Sequence, residues 1–293
     1  MVRTPSVLKA VFTLSVIALS LACSHVESPV PPLTATPKLE LQGLIVVEGL
    51  GACGHCHSRT GEPDSALSGG RIMEDEFGEI AGPNITLAKT GIGAWSENDL
   101  IRVFRGYVKP DGGVLSSTFH SGSEWMSDIE LAGVTTYLRS LPPVENEVPA
   151  RNINWLDRNT TGFFDRKSEV KGLVPQISRA FRVEYGQYLV DSVAHCGSCH
   201  SMPEGIISSS HYMVGGQTIS FDGEEKVAPN ITSDPEEGLG KWSENDYRVF
   251  FTDGRTPDGR QVDTRFCPVK FYSRVSQEDL DLMIAYLRTI PAD

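Results

Sequence analysis

"ACGHCHS" at 52–58 and "HCGSCHS" at 195–201 each contain Cys-x-x-Cys-His, and the reading of that pentapeptide decides the fold. Two thiols at this spacing form thioethers to the two vinyl groups of one haem, and the adjacent histidine reaches the iron from the proximal side. Cys-x-x-Cys alone also serves disulfide exchange and zinc binding, so a single match decides little. Two matches, both followed by histidine, point to two covalently bound haem c groups. Cys53, Cys56, Cys196 and Cys199 are the attachment points, with His57 and His200 as the proximal ligands.

The surroundings of the two motifs repeat as well. "AGPNIT" at 81–86 returns as "VAPNIT" at 227–232, "WSENDL" at 95–100 as "WSENDY" at 242–247, and "RVF" at 102–104 as "RVF" at 248–250. "PDG" at 110–112 returns at 257–259 and "YLRSLPP" at 137–143 as "YLRTIPA" at 286–292, so the offset drifts only from 143 to 149 residues. The chain is a duplicated unit of about a hundred residues, a usual domain size.

Each copy reads as mainly α, with few or no strands. A short helix precedes the haem motif ("LQGLIVVEG" and "EYGQYLVDS"), and a second starts at the N-cap Ser96 or Ser243 with acidic residues in its first turn. A third follows Ser127 or Ser276: Leu131, Val134 and Leu138, and Leu280, Met283, Ile284 and Leu287, recur at helical spacing. Pro142 and Pro291 end those helices. Gly/Pro-rich loops lie between the second and third helices, as expected of chain that wraps a flat prosthetic group. The organisation is therefore a leader at 1–22, a tether at 23–38, the first domain at 39–143, a connector at 144–182 and the second domain at 183–293. In the connector, Trp155, Phe163 and Phe164 argue for packing over one or both domains.

At the N-terminus, Arg3 and Lys9 precede an uncharged apolar run from Ala10 to Ala22, too short to span a bilayer comfortably. This is a bacterial export signal that ends at Cys23, an acylation site in the lipoprotein reading. Ser20 and Leu21 depart from the lipoprotein pattern, and cleavage after Ser20 is the alternative. The Pro/Ser/Thr-rich stretch that follows is an extended tether. The formal charge of −12 becomes more negative once Arg3 and Lys9 leave with the signal. An acidic surface excludes nucleic acid as the natural partner and favours basic docking surfaces. The expectation is an exported protein, periplasmic or anchored to the membrane through a lipid.

On these motifs the sequence resembles the dihaem cytochromes c built from tandem class I domains. It resembles the haem domains in cytochrome subunits of periplasmic sugar and alcohol dehydrogenases and, more loosely, thiosulfate dehydrogenase. The resemblance covers about 39–291. It implies a mainly helical haem domain in each copy and a sixth iron ligand, Met followed by Pro, nine residues before the Ser or Thr that caps the last helix. Counting back from Ser276 gives Cys267, with Pro268 after it: the methionine position holds cysteine.

In the first copy, eight residues beyond Gly112 is His120, as eight beyond Gly259 is Cys267. Counting back from Ser127 lands instead on Thr118, a poor ligand, so the loop after His120 is expected to be two residues shorter. His120 is the ligand this alignment favours, with Met126 and Met73 as alternatives. In the second copy Met202, His211, Met213 and Met283 are rivals to Cys267. Cys23 is lipidated or removed and four other cysteines are taken by thioethers, so Cys267 has no partner. Ferric iron is a suitable occupant because it stabilises the thiolate; an inert buried cysteine is the plain alternative.

The function implied is electron transfer between periplasmic or membrane-associated redox proteins, through one His57/His120 haem and one His200/Cys267 haem of unequal potential. Two alternatives stand beside it: a sulfur-compound oxidoreductase similar to thiosulfate dehydrogenase, and the cytochrome subunit of a larger dehydrogenase. Arg260, Arg265, Lys270 and Arg274 near Cys267 offer an anion attractor for the first of these, or simply a solvated face. In the Pro-Asn-Ile-Thr loops, side chains either hold the haem edge or propionates or form turns. Trp95 and Trp242 read as haem-packing or core residues.

Overall fold

The structure is a computed structural model describing residues 34–75, 77–113, 115–151, 155, 169–202 and 211–292. The export signal, Cys23, Phe163 and Phe164 lie outside the described residues.

In the first copy, Thr36 accepts from Leu39 N (3.2 Å) and Pro37 occupies the first turn, so α1 spans Pro37–Ile45. It runs into a wide helical turn, Val46–Leu50, broken at Gly49. The motif forms α2, Cys53–His57. A hairpin follows, β1 Ile72–Asp75 and β2 Gly78–Ala81. Next come α3 Glu97–Gly106, a 3-10 turn at Ser123–Trp125, and α4 Asp128–Ser140. The second copy repeats the series: α5 Arg182–Tyr188, a wide turn Leu189–Val193, α6 Gly197–His200, β3 Thr218–Phe221, β4 Glu224–Val227, α7 Glu244–Asp253, α8 Val269–Tyr272 and α9 Gln277–Leu287.

The expected caps are present. Ser96 and Ser243 each complete a capping box with Asp99 and Asp246, and Ser127 and Ser276 cap α4 and α9. The capped helices also correct one sequence match. Ser96 and Ser243, and the left-handed C-caps Tyr107 and Gly254, are 147 residues apart, whereas the two "RVF" tripeptides are 146 apart. The helical frame therefore sets Val103 opposite Phe250, and the tripeptide identity is one residue out of register.

First and last helices of each copy cross at a glycine. A Cβ on Gly43 would lie 1.9 Å from Gly133 O, and one on Gly186 would lie 2.0 Å from Leu282 O. Only a bare Cα lets α1 meet α4, and α5 meet α9, at this distance. Val47, Leu131 and Val134 fill the core beneath the first crossing and Val190, Leu280, Met283 and Ile284 that beneath the second, all 2% exposed or less.

Mainly α holds, with a small sheet added. The two hairpins join edge to edge in the order β2-β1-β3-β4, all antiparallel, with Met73 paired to Phe221. Strands of four residues such as "EEKV", all exposed, carry no apolar alternation, so their sequence gives no strand signal. Where the hairpins meet, Met73, Ile219, Phe221 and Ala228 form a second small core, against which Cys56, Cys199, Phe119 and Phe266 pack.

The described parts of the connector lie against both copies. Val144 O accepts from Asn84 Nδ2 (2.9 Å), Arg151 forks onto the fully buried Asp75, and Arg179 pairs with Asp279 (2.7 Å). Trp155 is 77% exposed.

Candidate haem centres

Each Cys-x-x-Cys-His turn is entered through a left-handed residue, Ala52 (φ 42°) or His195 (φ 52°), which swings the chain out of the wide turn before it. The serine after each motif holds the exit: Ser58 Oγ donates to Gly54 O (2.6 Å), and Ser201 Oγ accepts from Met213 N (3.0 Å). In both copies the motif histidine points its Nδ1 at the carbonyl of the proline in Pro-Asn-Ile-Thr, His57 to Pro83 O and His200 to Pro229 O, each at 2.8 Å. A carbonyl only accepts, so Nδ1 carries the proton and the Nε2 lone pair is left for a metal. Burial holds both imidazoles below their ordinary pKa, which keeps them neutral as a ligand must be.

This geometry decides the roles within the repeated loop. Asn84 Oδ1 accepts from Thr86 N (2.9 Å) and Thr86 Oγ1 (2.8 Å), and Asn230 Oδ1 from Thr232 N (2.8 Å) and Oγ1 (2.7 Å). The asparagine carbonyls are spent on the turn, and the orienting group is the preceding proline's carbonyl. The sequence flagged the segment but not the atom that acts.

His120 lies opposite His57, with ring centroids 6.1 Å apart and planes inclined at 51°. Two imidazoles sharing one metal, each nitrogen about 2 Å from it, place their ring centres roughly 6 Å apart. The pair therefore fits an iron between them. His120 is held at about pKa 3, first by burial and then by the nearby His57 and His195. Its Nδ1 is 3.4 Å from Ser116 O, which again leaves Nε2. The loop is braced from α3: Arg105 donates to Glu124 O (2.6 Å), Met126 O (2.7 Å) and Asp128 (2.5 Å), and the Tyr107 hydroxyl sits between His120 O (2.9 Å) and the Glu124 carboxylate (2.5 Å). Neither Arg105 nor Tyr107 was singled out by the sequence, where both look like ordinary helix-end residues.

Cys267 occupies the equivalent place. The chain reaches His120 and Cys267 through matching backbone bonds, Leu115 N to Tyr107 O (2.7 Å) and Val262 N to Gly254 O (2.8 Å). The two-residue difference falls beyond them, where the three-residue turn Ser123–Trp125 stands in for the four-residue α8. Cys267 packs against the same main core as Cys196 of the second motif. Burial pushes the Cys267 thiol itself up to about 12. At that value it is a protonated, unreactive group unless a cation takes the proton's place.

The alternative ligands sit in different settings. Met126, Met213 and Met283 are at most 2% exposed in the main core, and Met73 (4% exposed) belongs to the core between the hairpins. Met202 is 40% exposed and pairs by its backbone with His211. Trp95 and Trp242 pack against the main core, Trp242 edge-on to Tyr247 and Phe250.

The basic residues around Cys267 are already paired. Lys270 meets Glu62 (2.5 Å), Arg274 meets Asp64 and Glu48, Arg265 meets Glu224 and Asp263, and Arg260 lies 3.8 Å from Asp258. The cleft of about 510 Å³ bounded by Lys270, Arg274, Glu62 and Asp253 thus has compensated walls.

The two centres are interleaved. Phe271, four residues beyond Cys267, would lie 3.1 Å from a Cβ on Gly54 of the first motif, and the His55 ring is 5.0 Å from that of Phe221. Conversely, the loop after His120 meets the entry to the second motif at Gly122, where an added Cβ would be 2.0 Å from Asp191 O. Each distal loop therefore buttresses the other copy's motif.

Paired thiols beside an imidazole whose Nε2 is left for a metal, twice over in a helical frame, are the groups that a covalently attached haem requires. Relatives of this chain are cytochrome c subunits of dehydrogenases and a dihaem cytochrome c, similar at modest identity over most of its length. The fructose dehydrogenase cytochrome subunit of Gluconobacter japonicus is 26% identical over 82% of this chain and 50% of its own. The gluconate 2-dehydrogenase cytochrome c subunit of Pantoea cypripedii is 29% identical over 83% of this chain and 57% of its own. A dihaem c-type cytochrome of Cereibacter sphaeroides is 27% identical over 83% of both chains. The chain thus spans about half the length of the dehydrogenase subunits it matches. No protein-family model matches it. Among the described residues no helix is long and apolar enough to cross a membrane.

Proposed function

We propose that this protein is an exported dihaem electron carrier. Haem would be held at Cys53 and Cys56, with His57 and His120 as the residues that bind its iron, and at Cys196 and Cys199, with His200 and Cys267. The observation that carries the reading is the placement of the His57 and His120 rings 6.1 Å apart, at 51°, beside the paired cysteines of the first motif. When bound, each haem supplies a one-electron couple; the chain's own part is to fix the ligands and exclude water. Pro83 and Pro229 hold the proximal imidazoles in one tautomer. Arg105 and Tyr107 hold the loop that carries His120. Desolvation keeps the Cys267 thiol protonated, so it would serve as a thiolate only by giving up its proton to a bound metal.

With two protein ligands to each iron, no position would be left open for substrate. The partners are then redox proteins, with a dehydrogenase as donor in the manner that the relatives' names suggest. Lipid attachment at Cys23 would keep the carrier at the membrane. The reading of a sulfur-compound oxidoreductase rests on Cys267 alone, since the basic residues beside it are neutralised by carboxylates.

Low-temperature EPR of the oxidised, haem-loaded protein tests the ligand set. Two low-spin ferric signals are expected, one of thiolate type, and Cys267→Met should abolish only that one. An unchanged spectrum would remove Cys267 from the iron. Thiosulfate turnover with an artificial acceptor at enzymic rates would favour the oxidoreductase instead.

A further inference from the structure

Arg71 is a buried charge that neither haem motif requires. Its side chain is 2% exposed, and the carboxylate nearest to it, Asp222 at 3.4 Å, is 57% exposed and so largely compensated by water. The remaining contacts are neutral: Nη1 donates to the His55 carbonyl, Nη2 to Arg265 O (2.6 Å), and the guanidinium lies 4.1 Å from the Phe221 ring centre. A guanidinium cannot shed its proton to escape burial, so a positive charge sits permanently in an apolar seam.

Arg71 is bonded to the main chain of the first motif at His55, between the two attachment cysteines, and to the loop leading to Cys267 only through Arg265 O. The second copy has the same loop without the charge. Gly69-Gly70-Arg71 and Gly215-Gly216-Gln217 share positive φ at both glycines. Gly82 N donates to Arg71 O (2.7 Å) as Ala228 N does to Gln217 O (2.8 Å). The frame is common and the charge is not.

A fixed positive charge in a low-dielectric setting opposes the extra positive charge of a ferric centre and so raises its reduction potential. At the other centre an anionic Cys267 ligand acts in the opposite sense. We propose that Arg71 sets the centre at His57/His120 above that at His200/Cys267 in potential, so that electrons run from the second domain to the first. The step is one electron: the second centre is oxidised by one as the first is reduced by one, with no bond made or broken and no proton moved. Arg71 is a positioning residue in this scheme, since it touches the motif and not a ligand. The inference rests on the ligand reading above.

An EPR-monitored redox titration of the full haem-loaded chain follows each ferric signal separately, in wild type, Arg71→Gln and Arg71→Lys. Gln is what the second copy carries in the same loop, so the fold is retained, as a melting curve verifies. The expected result is a bis-histidine signal of higher potential in wild type, lowered in Arg71→Gln and restored in Arg71→Lys, with the thiolate signal moved less. Equal shifts of both signals, no shift, or a loss that Lys does not restore would overturn the proposal while the ligand signals stayed intact. Absence of the two signals in wild type would instead sink the ligand reading.

Discussion

The two copies share a frame and differ in what they hang on it. Their motif turns, proline acceptors, capping boxes and glycine crossings correspond almost residue for residue, yet one presents His120 and Arg71 where the other presents Cys267 and Gln217. Duplication has kept what orients a proximal ligand and varied what tunes it. The frame is set by backbone geometry, which tolerates few substitutions; the tuning residues are set by chemistry at a few side chains.

The helix crossings are the sharpest way to break the frame. Gly43→Val places carbon against Gly133 O with no room to shift, and overpacking of this kind costs about 3 kcal/mol. Chemical denaturation should show that loss, with both copies unfolding together because they share one main core. Gly133→Ala is expected to be milder, since its nearest contacts are at 3.0 Å. A smaller loss is expected from Arg105→Ala, which strips three acceptors of their donor around the His120 loop. A loss of about 2 kcal/mol follows, together with a disturbed bis-histidine EPR signal and an undisturbed thiolate signal. If both signals changed alike, the two distal loops would be less independent than their bracing implies. Smallest of all, Ser243→Ala removes one capping box and should cost about 1 kcal/mol in melting experiments, matching Ser96→Ala in the other copy. Unequal losses would show that the shared caps carry unequal loads.

Much of this was legible from residues because it depends on local rules. Cys-x-x-Cys-His, the serine caps and the helical stripes each declare themselves within a dozen positions. His120 and Cys267 emerged by counting from Gly112 and Gly259, whose turns (φ 79° and 80°) are indeed equivalent. What stayed hidden is non-local. The hairpins have too little alternation to announce strands, and their pairing joins positions about 150 residues apart. The acceptor for each proximal histidine is a main-chain oxygen, which no side-chain pattern encodes. Arg71 reads as one more charged loop residue until Phe221 and Arg265 O close over it.

The sheet shared by the two hairpins gives the duplication a particular cost. Either copy made alone would leave β1 or β3 with an open edge and would bare Met73 or Phe221 beside it, the kind of apolar strand that recruits further chains. The halves arose as repeats of one unit, but in this protein neither is any longer a free-standing module.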